Sequence, residues 1–387
     1  MTTPPRTFPR LGTLIGSFVG LVVPAVSVWA DTPFAPIAVA VEEAIAAGEL
    51  PGCVVAVVHR DQVVYHEAFG HRRLKPNPEK MTRDTIFDLA SLTKPVVTAT
   101  LIAQLVEEGK LDWGDPISRY WPEFAQNGKE KVTIDQCLIH TSGLIADNPM
   151  EDYRGGPAIA LERIAALRLL DPPGTRFRYS DVGYIVLAQV VERITKMNLA
   201  AAAKARIFDQ LKMHDTGFSV AEEKRPRTAP TDREGSGWRC GTVHDPRARA
   251  LGGVAGHAGL FSTADDLVRY CRMILRRGEL DGARILTPAT IEAMTQPIRT
   301  SAGWRTRGWD CDTSYSRNRG TVFPKGRNFG HTGFTGTSIW IDPESQTAVI
   351  FLSHRLHPDG KGDVSRLRGE VSTLAARALN LYNDRNP

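Results

Sequence analysis

The sequence predicts a mixed α/β (α+β) fold, in which an antiparallel sheet flanked by terminal helices carries an inserted, mainly helical domain. Apolar runs rich in valine and isoleucine mark strands near both ends of the chain, at 54–58, 63–69, 337–341 and 347–352. Between these runs the apolar spacing becomes helical. Strands at both ends with helices between them indicate one sheet that is built from the two termini.

The first long helical pattern follows the first pair of strands. Val97, Leu101 and Leu105 recur at a spacing of four residues, which places them on one helix face. Pro95 is tolerated only in the first turn of a helix, so the helix must begin just before Ser91. Further helices are predicted at 158–170, 182–196, 262–277 and 364–382.

These elements divide the chain into two predicted domains. Residues 31–85 and 245–387 form the sheet domain, and residues 86–244 form the inserted helical domain. We expect an active site in the cleft between them. Residues 222–249, rich in arginine, proline and glycine, predict a long loop, and loops of that length are often functional.

Composition and charge argue against nucleic acid as a partner. The chain has 387 residues, 42% of them apolar and 24% charged, as is ordinary for globular proteins. The formal net charge is +5, and it is +3 without the first thirty residues, whose charged side chains are Arg6 and Arg10. A charge this small and dispersed lacks the basic patch that nucleic-acid binding requires.

Residues 1–30 have the pattern of a secretory signal peptide. A positive start precedes an apolar run at 11–28, and small residues at Val28 and Ala30 precede a cleavage point before Asp31. The run contains a proline and is only marginally long enough to span a bilayer, which favours cleavage over an uncleaved anchor. We therefore expect a periplasmic or secreted protein without stable membrane insertion after cleavage.

The five cysteines are odd in number and widely scattered, unlike a disulfide framework. Cys53 and Cys271 lie in apolar sequence and are predicted to be core thiols. Cys240 and Cys311 lie in loop-like sequence, where a disulfide between them stays an open alternative. None of the cysteines has the spacing of zinc ligands.

Ser91-Leu92-Thr93-Lys94 is the only Ser-x-x-Lys in the chain, and it lies at a predicted helix start. Residues three apart share a helix face, so the Lys94 amine can lie beside the Ser91 hydroxyl. An adjacent base is one way to activate a serine whose free hydroxyl is a poor nucleophile. The motif therefore predicts a nucleophilic serine.

Tyr179-Ser180-Asp181 is the second motif, and it directly precedes a predicted helix. A tyrosine in this position can project its phenol into a cleft between domains. Beside the Lys94 ammonium, the pKa of Tyr179 is expected to fall, because a positive charge favours the phenolate. Tyr179 could then act as general base toward Ser91 and as general acid toward the leaving group.

His331-Thr332-Gly333 is the third motif, and Phe334 follows it. A glycine-containing strand lets a substrate backbone approach closely. Thr332 can bond a substrate, and His331 can hold the phenol or a carboxylate. The N–H groups of Phe334 and Ser91 together could form an oxyanion hole.

The other candidate residues have simpler interpretations. His140 and His257 lie in glycine-flanked turns and are expected to be structural. His354 and His357 are three residues apart but have no third ligand, so no metal site is predicted. Ser142 is a rival nucleophile that lacks a nearby lysine and the Gly-x-Ser-x-Gly elbow of other hydrolases.

Together with the sequences at 87–90, 140–144 and 256–264, the three motifs resemble the serine β-lactamase and penicillin-binding-protein superfamily, on the side of the class C β-lactamases, D,D-carboxypeptidases and esterases. The resemblance runs from about residue 54 to residue 379. It implies the β-lactamase/transpeptidase-like fold, no metal and no organic cofactor. It also implies that Ser91 is acylated, that Lys94 and Tyr179 transfer protons, and that 331–333 flank the substrate.

Two residues depart from the pattern of that superfamily. Asp181 stands where many β-lactamases have asparagine, and an ionised carboxylate there would raise the pKa of Lys94 and favour Tyr179 as the base. His331 stands where β-lactamases usually have lysine, and a neutral imidazole anchors a carboxylate less well than a permanent cation. Arg327 or Arg355 is the expected source of the missing charge.

The sequence thus predicts an exported serine hydrolase that forms an acyl-enzyme on an amide or ester. The favoured activity is that of a D-alanyl-D-alanine carboxypeptidase or a β-lactamase, with a small peptide, a β-lactam or an ester as substrate and peptidoglycan as a further partner. Two alternatives stay open: a carboxylesterase with the same residues, and a penicillin-binding or peptidoglycan-binding protein with little turnover.

Overall fold

The computed structural model describes residues 32–382, together with residues 1, 2 and 4. The predicted signal peptide, residues 1–30, therefore lies outside the described residues except at these three positions. Within the described part of the chain, no helix has the length and apolar character needed to cross a bilayer.

Fifteen strands are present in the described residues. They are β1 Gly52–His59, β2 Gln62–Arg73, β3 Glu79–Lys80, β4 Phe87–Asp88, β5 Arg233–Glu234, β6 Gly237–Trp238, β7 Phe261–Ser262, β8 Glu279–Leu280, β9 Ala283–Arg284, β10 Ile298–Thr300, β11 Gly303–Arg305, β12 Asp310–Asp312, β13 Phe329–Thr332, β14 Ser338–Asp342 and β15 Thr347–Ser353.

Ten α-helices lie in the same part of the chain. They are α1 Ala35–Ala46, α2 Thr100–Glu107, α3 Ile134–Leu138, α4 Pro157–Ala165, α5 Asp181–Thr195, α6 Leu199–Ala203, α7 Pro246–Ala250, α8 Ala264–Leu275, α9 Pro288–Thr295 and α10 Ser365–Ala378. Short 3₁₀ and π-helical turns supplement them, among them Ala90–Leu92 and Lys94–Ala99.

Nine strands form one sheet in the order β10-β11-β12-β13-β14-β15-β1-β2-β3, with antiparallel neighbours throughout. The strands come from 52–80 and 298–353, so both ends of the chain build this sheet, as predicted. Strand β1 pairs with β15 in the middle, with Val55 opposite Phe351. This arrangement confirms the predicted mixed fold with a large antiparallel sheet.

The sheet is covered by helices on both faces, because its central strand is apolar on both sides. Alternate residues of β1 enter two different hydrophobic clusters: Val55 packs with helices α1 and α10 on one face, and Val54 belongs to the cluster on the other face. Helix α8 packs against β1 and β15 on that second face. The terminal helices flank the sheet as the sequence predicts.

The region between the two sets of strands is mainly helical and shares the larger cluster with the sheet. Helix α5 buries most of its length there, and its N-cap is Ser180, whose hydroxyl accepts from Gly183 N at 3.0 Å. Helix α8 is capped by Thr263, which lies within the predicted cap sequence. The domain boundaries at 85/86 and 244/245 stay predictions.

Two local expectations were wrong. The helix predicted at 158–170 ends at Ala165, because the side chains of Asn127 and Lys129 bond the carbonyls of the next two residues. The predicted loop at 222–249 contains a 3₁₀ turn, the β5–β6 hairpin and part of α7.

The pairing of Cys240 with Cys311, which the sequence left open, is absent from the structure. All five cysteines are free, and Cys311 lies in the buried strand β12 rather than in a loop. Cys240 lies elsewhere, with its thiol beside the carbonyl of Thr228. A strand of three residues is too short to show a periodic pattern in the sequence, which is why Cys311 was misplaced.

Candidate active site

The segment before Ser91 holds the serine in a strained turn. Strand β4 ends at Asp88, whose carboxylate accepts from Ala90 N at 2.8 Å. Ala90 has a φ of +46°, in the left-handed region that residues with a side chain rarely adopt. Ser91 follows at once in a 3₁₀ turn. Strain of this kind persists only where surrounding contacts enforce it, and it is common at functional sites.

Lys94 is fully buried beneath Ser91. Its Nζ donates to Ser91 Oγ at 3.0 Å and to His257 O at 3.1 Å, and it lies 2.6 Å from Asp181 Oδ1. The spacing of three residues thus brings the amine and the hydroxyl together as predicted. Lys94 also opens a π-helical turn, a rare geometry that is often found at functional sites.

Asp181 keeps the Lys94 amine charged. Burial by itself lowers the pKa of Lys94, but the Asp181 carboxylate and the Tyr179 phenol outweigh it and raise that pKa above its ordinary value. This direction is the one expected from the sequence. An ammonium cannot accept a proton, so Lys94 supplies charge and orientation rather than a free base.

Tyr179 lies in the loop before α5, and its side chain lies next to Lys94 and Ser91. The Lys94 Nζ is 4.9 Å from the centre of its ring, and the Lys94 charge and hydrogen bonding to Lys94 and Ser91 act to lower the pKa of the phenol. Burial nevertheless raises the pKa of Tyr179 and outweighs these bonds, with the Asp181 charge adding to the rise. The expected fall was wrong, because the sequence showed the neighbouring cation but not the depth of burial.

Strand β13 carries His331 and Thr332 along the opposite wall. His331 is buried, and its Nδ1 lies 2.8 Å from Thr332 O. Burial, together with the cations of Arg305 and Lys94, lowers the pKa of His331 well below its ordinary value. The imidazole is therefore neutral and gives a substrate carboxylate no permanent charge.

Gly333 allows this strand to lie directly against the nucleophile segment. A Cβ atom there would meet Leu89 O at 2.3 Å and Thr337 Oγ1 at 2.2 Å. Thr337 Oγ1 itself donates to Leu89 O at 3.1 Å, and Thr335 Oγ1 donates to Asp88 O at 2.6 Å. These bonds fix the position of the strand relative to Ser91.

Two backbone donors next to the serine are free to bind a substrate oxygen. Neither the Ser91 N–H nor the Phe334 N–H donates to another described residue. The carbonyl of Phe334 is held by Arg355, whose Nε donates to it at 2.9 Å. The two N–H groups therefore fit the predicted oxyanion hole, and Arg355 holds the peptide backbone of Phe334 in place.

A cavity of about 170 Å³ opens beside the serine. Five of the eight predicted site residues line it, while Lys94, Asp181 and Gly333 lie behind its wall. The lining residues are Ser91, Tyr179, Arg305, Asp310, Tyr315, His331, Thr332 and Phe334.

Sequence reasoning missed three residues of this lining. Arg305 and Asp310, at the ends of β11 and β12, form a fully buried ion pair of 2.9 Å. Tyr315 stacks on Tyr179 with ring centres 5.3 Å apart and is about half exposed. The one sequence feature that could have indicated Arg305 and Asp310 is their opposite charge. The two strands that carry them are too short to show a periodic pattern.

The expectation that Arg327 or Arg355 supplies a cation to this cavity was wrong. Arg327 is exposed and pairs with Glu344 at the surface. Arg355 uses Nε for Phe334 O and Nη1 for Gly362 O, at 2.7 Å. Neither guanidinium lines the cavity, and Arg355 instead supports the backbone around Phe334.

Two of the remaining histidines lie against the site. His140 stacks on Tyr179 with ring centres 4.3 Å apart, and its Nδ1 accepts from Ser180 N at 3.0 Å. The His257 carbonyl bonds Lys94. The rival Ser142 is buried, and its hydroxyl is oriented toward Leu144 N at 3.4 Å.

Among the described residues, one group of acidic and histidine side chains is close enough to hold a metal ion: Asp181, Asp245 and His257, with one atom of each within 4.8 Å of the others. The Lys94 ammonium already lies against Asp181 and supplies the positive charge of this group. His354 and His357 stack at 5.8 Å, and His357 Nε2 accepts from Leu74 N.

The β-lactamase family model matches residues 37–371, almost the whole described chain. The chain belongs to the β-lactamase family. It is a serine hydrolase of that family, and Ser91 and Lys94 lie at its Ser-x-x-Lys motif. A relative from Salmonella schwarzengrund (strain CVM19633), named "Putative D-alanyl-D-alanine carboxypeptidase", is 30% identical, and the match covers 79% of each chain.

Solved structures show the same fold. A penicillin-binding protein homologue from Caulobacter crescentus has a TM-score of 0.71 at 24% identity, and the match covers 89% of this chain and 97% of that one. EstCE1, described as a hydrolase with promiscuous acyltransferase activity, has a TM-score of 0.70 at 23% identity, with 88% and 98% covered.

Proposed function

We propose that Ser91 attacks the carbonyl of an amide or ester and forms an acyl-enzyme that water then hydrolyses. The observation that carries this proposal is the position of the Lys94 and Tyr179 side chains next to Ser91. Lys94 Nζ lies 3.0 Å from the Ser91 hydroxyl and 4.9 Å from the centre of the Tyr179 ring, and Ser91 and Tyr179 line the same cavity. The hydroxyl of the rival Ser142 lies instead 3.4 Å from Leu144 N.

Tyr179 acts as a proton relay in this reaction. Because its raised pKa keeps the phenol protonated, its oxygen accepts the Ser91 proton while its own proton passes to the leaving group. Lys94 stabilises the negative charge that develops on the phenol during transfer. The N–H groups of Ser91 and Phe334 hold the oxyanion, and Thr332 bonds the substrate. In deacylation, water replaces the alcohol or amine and the relay runs in reverse.

The favoured substrate is a small peptide that ends in D-alanyl-D-alanine. The name of the Salmonella relative supports this choice, and the family supports β-lactams as a second group of substrates. Peptidoglycan is the corresponding larger partner. The signal pattern of residues 1–30 supports a periplasmic or secreted location, and N-terminal sequencing of the exported protein should begin at Asp31.

A carboxylesterase acting on short acyl esters is the second candidate. The cavity beside Ser91 supports it, because the lining includes the aromatic rings of Tyr179, Tyr315 and Phe334. A neutral acyl group suits such a lining better than a carboxylate does.

Intact-protein mass spectrometry tests the proposal. The wild type is exposed separately to penicillin, p-nitrophenyl acetate and a D-Ala-D-Ala peptide. We expect an acyl adduct on Ser91, and we expect Ser91→Ala to form none and to lose at least about 10³-fold in kcat. Ser142→Ala is the matched control and should keep both adduct and rate. An adduct that persists in Ser91→Ala would refute the mechanism.

The same experiment separates the candidate functions. Rapid release of D-alanine from the peptide identifies a carboxypeptidase, whereas turnover of the ester alone identifies an esterase. A penicillin adduct that lasts for hours without turnover of peptide or ester identifies a binding protein.

A further inference from the structure

A glycine-rich segment at 252–259 runs directly behind the nucleophile turn, and the proposed reaction uses none of its side chains. Its carbonyls accept from the helical turns that follow Ser91: Gly256 O from Thr98 Oγ1 at 2.7 Å, and His257 O from Lys94 Nζ at 3.1 Å. A Cβ atom at Gly256 would lie 2.0 Å from Tyr184 O. The segment thus has neighbours on both sides, and its position determines where the Lys94 ammonium lies.

The imidazole of His257 ties this segment to a second element. It is buried, with 1% of the side chain exposed, and its Nε2 lies 2.9 Å from Asp245 Oδ1. The same oxygen accepts from Ala248 N at 2.7 Å and caps helix α7. Asp245 therefore connects the start of α7 to the residue whose carbonyl contacts Lys94.

We propose that Asp245 and His257 are positioning residues of the acyl-transfer reaction: they hold the His257 carbonyl against Lys94 and so fix the ammonium between Ser91 and Asp181. The inference rests on the proposed function. A single residue carries both the imidazole and the carbonyl, so anchoring the ring to Asp245 also limits movement of the carbonyl.

The hydrogen bond between Asp245 and His257 affects the reaction through the position of the Lys94 ammonium. An ammonium has three N–H donors, and Lys94 donates to Ser91 Oγ and His257 O while its Nζ forms an ion pair with Asp181 Oδ1. If the His257 acceptor moves away, the ammonium can rotate or shift toward Asp181. The hydroxyl and the phenol then lose the alignment that proton transfer requires.

Asp245 is ionised in this setting. Burial by itself raises the pKa of Asp245, but the hydrogen bond and charge of His257, the bond from Ala248 N and the Lys94 cation together lower it well below its ordinary value. The carboxylate is therefore a strong acceptor for the imidazole N–H.

Two substitutions at Asp245 test the proposal. Asp245→Asn keeps the oxygen that accepts from Ala248 and from His257, whereas Asp245→Ser keeps the helix cap but is too short to reach His257. With p-nitrophenyl acetate, we expect Asp245→Ser to lower kcat about tenfold with KM within about twofold of the wild type. Asp245→Asn should stay within about threefold of the wild-type kcat.

A second pair at His257 repeats the test. His257→Gln places an amide nitrogen near the position of Nε2 and should keep more activity than His257→Asn, which does not reach Asp245. Rates are expressed per acylatable site, counted from the burst of p-nitrophenol, so that loss of folded protein does not lower them. Thermal melting of each variant is recorded in parallel.

The outcomes separate this inference from the proposed function. If wild-type protein forms no acyl adduct with penicillin, p-nitrophenyl acetate or the D-Ala-D-Ala peptide, the proposed function fails. If it does, and Asp245→Ser turns over at the wild-type rate per site, the positioning role is refuted, whatever the melting temperature. Equal losses in Asp245→Asn and Asp245→Ser would also overturn it, because the retained hydrogen bond would then have no effect.

Discussion

Lys94 and Asp181 form a buried ion pair next to the nucleophile, with a separation of 2.6 Å. The exposed fraction of the Lys94 side chain is 0%, and that of Asp181 is 18%. Removing one member of such a pair leaves an uncompensated charge, which costs far more than removing both. The stability of the folded protein therefore depends on both charges being present, and the pair is also part of the proposed reaction.

Single and double substitutions should reveal this coupling. We expect Lys94→Met to lower the free energy of unfolding by about 3–5 kcal/mol, because Asp181 loses its counter-charge while Asp147 and Asp245 remain nearby. Lys94→Met combined with Asp181→Asn should lose clearly less. Urea unfolding at pH 7 measures both. Equal destabilisation of the single and the double variant would show that the two charges are not coupled.

At the residue scale, the sequence predicted which side chains lie together in the site better than it predicted their protonation states. The Ser91–Lys94 contact follows from helix geometry, and the direction of the Lys94 pKa shift follows from the presence of Asp181. The Tyr179 prediction failed because the sequence shows which charges are near but not how much water is excluded. Burial outweighs the Lys94 cation, and only the packed structure establishes burial.

Strand β13 meets the nucleophile segment without space for a side chain at Gly333. Gly333→Ala should push the strand away from Leu89, and we expect it to cost about 1–3 kcal/mol of stability and about 100-fold in kcat/KM. Gly114→Ala is the matched control, since its Cβ would meet no atom within 4 Å. Chemical unfolding and ester hydrolysis measure the two effects. Wild-type kinetics in Gly333→Ala would mean that the close approach is not needed.

Asp88 links strand β4 to two loops, since its carboxylate accepts from Ala90 N and from His244 N. Burial raises its pKa to about 6, although both hydrogen bonds oppose the rise. The folded state therefore holds this proton more tightly than the unfolded state. Asp88 then costs stability as pH rises from about 4 to about 6, and the cost stays constant above that range.

Comparison with Asp88→Asn should isolate this contribution. From pH 4 to pH 6.5 the wild type should lose about 2 kcal/mol of unfolding free energy relative to the variant, since about two pKa units separate the folded-state and unfolded-state values. The hydrogen bond that the amide fails to accept adds an offset that does not depend on pH. Denaturant unfolding at several pH values measures the difference. Parallel pH profiles would contradict the assignment of the raised pKa to Asp88.

Some long elements were predicted well, whereas helix α1 and the short strands were not. Helix α5, predicted at 182–196, spans Asp181–Thr195, and the two strands predicted first correspond to β1 and β2. Strands β11 and β12 have three residues each and escaped detection. They carry Arg305 and Asp310, so the missed elements are also the missed part of the site.

The whole molecule holds its five cysteines apart as free thiols. Four are buried, and burial raises the pKa of Cys240, the half-buried fifth. We expect a thiol reagent to label at most one cysteine in the native protein, slowly, and five in guanidinium chloride. Reductant should leave the melting temperature unchanged. Only three reactive thiols after unfolding without reductant would reveal a disulfide.

The sequence by itself determined the sheet built from two termini, the nucleophile with its lysine, and the order of the three motifs. Periodicity and i, i+3 spacing are local properties, and local properties can be read along the chain. The tertiary structure alone decided which residues close the cavity, that Tyr179 remains protonated, and that His257 reaches Lys94. Those features depend on burial and on contacts between distant segments, which no local pattern encodes.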